Sequence, residues 1–245
     1  MRLPRSALLT ALSKLRLKLP PGAYLAVSLG IAGVVVWGFW RIYFGLLIAG
    51  TVVKPWFIHA HAAVFMGWVV LLIAQAWFIA SGKVGQHRRV GRVAAFYGAL
   101  VFAVGVAVSV TAPALRVRSG ALSERIASSV VLYNLVDILC FGGFLVAALV
   151  SRRRPELHKR WILCATTALL GAAVGRVIQD EWLYRAAWVS PLMTVMLIDV
   201  STRRRVHVVS LIGLSTLLVA SFKVPIIAMS PISAEVGRWL LGLSL

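Results

Sequence analysis

The sequence predicts an all-α fold, an integral membrane bundle of seven transmembrane helices with short amphipathic end segments. Hydrophobic residues make up 60% of the 245 and charged residues only 13%, and the mean hydropathy of +0.91 lies well outside the range of water-soluble domains. Apolar stretches of about 20 residues, the length of helix that crosses a bilayer, recur along the chain. The cations gather in the gaps between those stretches.

Seven stretches qualify as spans, at residues 22–41, 56–81, 89–112, 128–150, 158–179, 182–200 and 206–227. Each reads as a helix because lipid leaves no partner for an unpaired backbone group. Residues 1–21, within MRLPRSALLTALSKLRLKLPPGAY, read as a basic amphipathic segment on the cytoplasmic face. The apolar run that follows is too long for a signal-peptide core and serves as the first span. RIYFGLLIAGTVVKP, between the first two spans, is too short to cross and return; it reads as an outer interfacial segment, with Pro55 opening the second helix. The sixth stretch, WLYRAAWVSPLMTVMLIDV, is the weakest: it holds Arg185 and Pro191 and ends in Asp199. Proline is tolerated in a span when neighbours satisfy the freed carbonyl. At the far end, residues 228–245 contain SAEVGRWLLGLSL, which places Val236, Trp239, Leu240 and Leu243 on one face of a short outer interfacial helix. With no internal repeat and no long linker, residues 22–227 read as a single transmembrane domain.

A net charge of +19 raises the question of nucleic acid. Binding of that kind needs a basic patch on a folded polar surface, whereas these cations lie in the N-terminal segment and in loops at 83–92, 152–160 and 203–205. With seven crossings all four groups fall on one side, which the positive-inside bias makes the cytoplasm. The expected location is a bacterial inner membrane, with the N-terminus cytoplasmic and the C-terminus outside. The expected partners are membrane lipids, anionic ones at the cytoplasmic face among them, and not nucleic acid. Cys140 and Cys164 each sit in an apolar segment and read as small fillers rather than a disulfide. Lys223, in the last span, sits where snorkelling is easy, and the third span offers no carboxylate counter-ion, so a retinal-type Schiff base is rejected.

An ionisable side chain in lipid is expensive, so each one marks a candidate site. Asp137 lies near the middle of the fourth span with Asn134 and Tyr133 on the same face. Two readings stay open there: a polar clip that ties helices together, or a proton-handling group or metal ligand. Gln75 shares a face of the second span with Trp68 and His61, four turns away, and that face must look inward. His59 points elsewhere, towards the outer interface. His158 and Arg176 are five turns apart on the fifth span and therefore share a face, while Gly171 and Gly175 form a small-xxx-small pair that admits a neighbouring helix. Arg176, Asp180, Glu181 and Arg185 read as an ion-paired outer loop.

His87, His158 and His207 each fall at the cytoplasmic start of an odd-numbered span, and Asp199 ends the sixth at a similar depth. Three imidazoles and a carboxylate at one level suit a transition metal such as copper, iron or zinc. No spacing forces two of them onto one face, and each histidine alone has a bland reading, meeting lipid headgroups beside arginines. A haem with two of these histidines as axial ligands stays open; one in the core does not, since His61 has no partner at its depth.

The run HAHAAVFMGWVVLLIAQ, then GKVGQHRRVGR, RRRPELHKRW and a later RRVH resembles an uncharacterised family of bacterial polytopic membrane proteins over roughly residues 55–210. More remotely it is similar to four-histidine membrane proteins of cytochrome oxidase assembly. That second resemblance implies a metal- or haem-related role for His61, His87, His158 and His207. Trp161 departs from it, standing where a smaller apolar residue is expected. The reading that follows is a cytoplasmic-face site that binds a transition metal or haem in a redox or assembly role. Its rivals are a metal-free proton-coupled transporter working through Asp137 and Arg176, and a non-catalytic membrane subunit or scaffold.

Overall fold

The structure, a computed structural model, describes residues 22–243; the basic segment expected at 1–21 and the side chain of Leu243 lie outside the described residues. Among these it is all-α, with no strand. The helices are α1 (Ala23–Ile48), α2 (Trp56–Ala80), α3 (Val84–Arg118), α4 (Glu124–Val150), α5 (Pro155–Val174), α6 (Glu181–Arg203), α7 (Val208–Ala228) and α8 (Pro231–Leu243).

Six of them, α1 to α4, α6 and α7, are long and apolar enough to cross a membrane. Sequence reasoning expected seven and placed the weakest at 182–200; that stretch qualifies, and the one that falls short is the fifth. α5 opens at Pro155 and carries Glu156, Lys159 and Arg160 in its first two turns. It is also the most enclosed helix, packed against α1, α4, α6 and α7, so its side chains meet protein rather than lipid. Around it Leu29, Val70, Leu139, Val146, Leu197 and Ile226 point outward, an apolar exterior that a soluble domain of this size does not present.

One end segment differs from expectation. Residues 42–48 are not a separate interfacial stretch: α1 continues through a π turn at Trp40–Phe44 and ends at Ile48. α8 forms, with Ser233, Gly237 and Leu241 seated on α4 and α3 and with Val236 and Trp239 facing outward. Local signals fix the helix starts. Asp180 caps α6 by accepting from the Leu183 amide (2.8 Å), and His207 caps α7, its Nδ1 accepting from the Val209 amide (3.2 Å).

Close helix approach relies on missing side chains. A Cβ on Gly38 of α1 would stand 2.4 Å from the Ala173 carbonyl oxygen, and one on Gly213 of α7 would stand 2.2 Å from Cys164 Sγ. The core around α5 includes Ile31, Trp68, Val101, Phe141, Leu170, Leu192 and Leu217. Trp68 packs edge-on against Phe141 at 5.2 Å and donates from Nε1 to Thr166 Oγ1 at 3.2 Å, so the face of α2 expected to look inward does so. Cys140 and Cys164 are both free, Cys164 fully buried.

Candidate functional site

One end of the bundle gathers the loops at 81–83, 151–154 and 204–207. There α5 and α6 are joined by a buried ion pair: Arg160 Nη2 donates to Asp199 Oδ1 over 2.5 Å, and neither side chain is exposed. Arg160 also reaches back one turn to Glu156 at 2.7 Å. Glu156 accepts in addition from Lys159 (2.7 Å) and forms an ion pair with Arg203 of α6 (2.8 Å). Arg203 Nε lies 3.7 Å from Asp199, which closes a ring of four charged residues, two from each helix. Tyr24 of α1 covers this ring, with Lys159 Nζ 5.0 Å over its own aromatic face.

The expected metal quartet does not assemble: no three His, Cys, Asp or Glu among the described residues stand together as a metal ion requires. Each member has another engagement. Asp199 is held by Arg160. His207 spends Nδ1 on the α7 cap, and burial, followed by the Arg160 guanidinium, holds its imidazole below the ordinary 6.5. His158 Nδ1 bonds the Ala148 carbonyl at the end of α4 (2.8 Å), which leaves Nε2 free. Gln75 meets His87: with its oxygen accepting from the Gly91 amide (3.3 Å), the Gln75 nitrogen donates to His87 Nδ1 at 2.5 Å and to the His87 carbonyl at 3.1 Å. His207 belongs to the Arg160 ring, while His87 and His158 bond Gln75 and the end of α4.

The core site is elsewhere. Gly171 of α5 leaves a gap into which three polar groups point. A Cβ there would stand 2.9 Å from Tyr184 Oη, 3.3 Å from Trp188 Nε1 and 3.4 Å from Asp137 Oδ2. Trp188 Nε1 is committed to the Thr167 carbonyl (2.8 Å), and its ring stacks on Tyr184 at 5.8 Å. Asp137 has no hydrogen-bond or ion-pair partner among the described residues. Asn134, one turn away on α4, is half-buried, and Tyr133 is exposed. Gln75 is not part of this group; it serves His87 at the cation-rich end.

At the opposite end α5 stops at Val174, so Arg176 lies past the helix and shares no face with His158. It is exposed, with its guanidinium 4.4 Å over Phe39. His61 is half-buried against Phe65 (4.2 Å), its Nδ1 unpartnered, and His59 bonds Tyr43 (2.9 Å). The outer ion pair forms between Arg185 and Glu181, and Arg185 also donates to Ser221 of α7 (3.2 Å).

No family model, curated protein or solved structure matches the chain.

Sequence reasoning missed Arg160, which reads as one more loop cation in LHKRW. The signal present was a pair of four-residue spacings, Glu156 to Arg160 and Asp199 to Arg203, each placing opposite charges on one helical face.

Proposed function

We propose that this is a membrane protein of seven crossings that acts as a proton-coupled carrier, with Asp137 as its proton-exchanging carboxyl. α5 supplies the seventh crossing: its start bonds the ends of α4 and α6 and its end packs beside Gly38 of α1, so it runs between the same two ends as its apolar neighbours. The cation-rich end is the cytoplasmic one by the positive-inside bias, which leaves the N-terminus inside, the C-terminus outside and anionic lipid as the neighbour of the arginine loops.

The observation that carries this reading is the solitude of Asp137. Asp137 is half-buried in an apolar helix, where a carboxylate is costly as an anion, and the two buried arginines among the described residues, Arg160 and Arg185, are each already paired with another acid. Proton binding removes the cost, and Tyr184 and the gap at Gly171 give the carboxyl a hydroxyl and room beside it. Arg176, the other charge of the transporter reading, lies past the end of α5 and is exposed, its guanidinium engaged by Phe39 and the Ala172 carbonyl. In proteoliposomes carrying a trapped pH dye, an imposed pH gradient drives proton entry through the wild-type protein, and Asp137→Asn abolishes it while leaving the folded fraction unchanged. Proton entry unaltered by that substitution contradicts the carrier.

A second reading has one specific observation behind it. His158, oriented by the Ala148 carbonyl with Nε2 free, and His87, held by Gln75, sit at the same cation-rich end, and two imidazoles from different helices are the number that a haem takes axially, although fewer than a zinc site takes. An absorption spectrum and metal analysis of the purified protein, beside the His87→Ala/His158→Ala variant, test it. If neither Asp137 nor the histidines matter to transport or composition, a scaffold role remains.

A further inference from the structure

The ring of charges between α5 and α6 has two sets of partners. Arg160–Asp199 and Arg203–Glu156 join the helices, whereas Glu156–Arg160 and Asp199–Arg203 each lie within one helix, four residues apart. Separating α5 from α6 at this end therefore breaks two interhelical contacts and leaves each helix with an internal ion pair. No lone buried charge is created, which is the condition that normally makes breaking a buried pair prohibitive.

Beneath the ring, α5 presents Cys164, Thr167 and Gly171 on the face that carries Arg160, at steps of four, three and four residues. This stripe ends at the gap beside Asp137. It is closed by Cys164 packed against bare Gly213 beside Leu192, and by Trp188, whose Nε1 donates to the Thr167 carbonyl. On it, Thr167 Oγ1 is fully buried without a partner; Ser210 Oγ of α7, one residue past the Val209 whose carbonyl faces Cys164, is likewise buried and unpartnered, and in the ring above Asp199 Oδ2 and Arg160 Nε also lack partners. Buried polar atoms in that state cost stability, and water reaching them removes the cost.

We propose that the Arg160–Asp199 pair is the gate at the cation-rich end, closing a hydrophilic path along Cys164, Thr167 and Gly171 that leads to Asp137. The proposal rests on the carrier reading for what moves through the path, but its own test does not depend on transport. Opening swaps interhelical pairs for intrahelical ones, admits water past Cys164 and supplies Thr167 and Ser210 with partners.

Cys164 reports on the gate. In a Cys140→Ala background, reconstituted in sealed vesicles of known orientation, a membrane-impermeant maleimide reacts slowly with Cys164 because the thiol has no exposure in the closed form. Asp199→Asn weakens the interhelical pair, and labelling from the cation-rich side rises by about tenfold, as for a local opening equilibrium moved by one decade. Labelling from the opposite side stays at the background rate. If Asp199→Asn fails to fold, Arg160→Gln/Asp199→Asn, which removes both charges of the interhelical pair, carries the same measurement. Labelling that does not rise in a folded variant, or that rises equally from both sides, overturns the gate. Should the gate fail while Asp137→Asn still silences proton entry, the carrier stands without it; should labelling behave as stated while Asp137→Asn has no effect, the opening stands and the carrier falls.

Discussion

Arg160 on α5 donates to Asp199 on α6 over 2.5 Å, with neither side chain exposed, although 39 residues separate them in the chain. Removing Arg160 leaves the buried Asp199 with only Arg203, 3.7 Å away, whereas removing Asp199 leaves Arg160 paired with Glu156. Arg160→Met is therefore expected to destabilise the bundle by about 3–5 kcal/mol, while Arg160→Met/Asp199→Leu returns most of that loss. Reversible unfolding in detergent across the full double-mutant cycle measures both. A double variant no more stable than the single one contradicts the account of the pair.

Gly171→Ala probes the gap beside Asp137. The added methyl would stand 2.9 Å from Tyr184 Oη, so the tyrosine must move and the space beside the carboxyl closes. The expected cost in stability is about 1–3 kcal/mol. Proton entry into vesicles should fall by a larger factor than the folded fraction does. Wild-type flux in Gly171→Ala would remove the gap from the mechanism.

Gly213→Ala tests the approach of α7 to α5, where a Cβ would meet Cys164 Sγ at 2.2 Å. Overpacking of this kind costs about 1–3 kcal/mol. Because the clash is with one side chain, Cys164→Ala in the same protein should restore much of the loss. Thermal unfolding of the four proteins decides the point.

His207 gives a pH dependence with a definite sign. Its folded-state imidazole is held below 6.5 by burial and then by Arg160, so folding favours the neutral ring. The contribution is fully present above the unfolded value near 6.5 and is lost as pH falls from there towards the lower folded value. His207→Asn keeps a capping side chain and removes the titration. The unfolding midpoint of the variant should therefore change less than that of the wild type over this acid window; equal slopes contradict the assignment.

Much of the fold was legible in the sequence because lipid imposes a simple rule on length and polarity. That rule found the six long apolar helices and the inward face of Trp68, and it says least about α5 and the end of α1. α5 is enclosed by protein, so its polar start at Glu156, Lys159 and Arg160 lies against partners and not lipid. α1 runs on past 41 because a π turn at Trp40–Phe44 keeps its backbone groups paired, a feature without a compositional mark. At the site, Asp137 stood out as a charge in an apolar run. Its surroundings did not, since Tyr184 and Trp188 reach it from another helix through a space that only Gly171 leaves open. The histidines shared a depth, but depth says nothing about direction around a helix: His207 turns to its own cap, His158 to Ala148 and His87 to Gln75.

Infrared difference spectroscopy of the reconstituted protein, stepped in pH, observes the proton on a carboxyl directly. The account predicts a carboxylic C=O band that titrates in the wild type and disappears in Asp137→Asn, with the amide bands unchanged. A titrating band that persists in Asp137→Asn, or a wild-type spectrum with no such band, contradicts it.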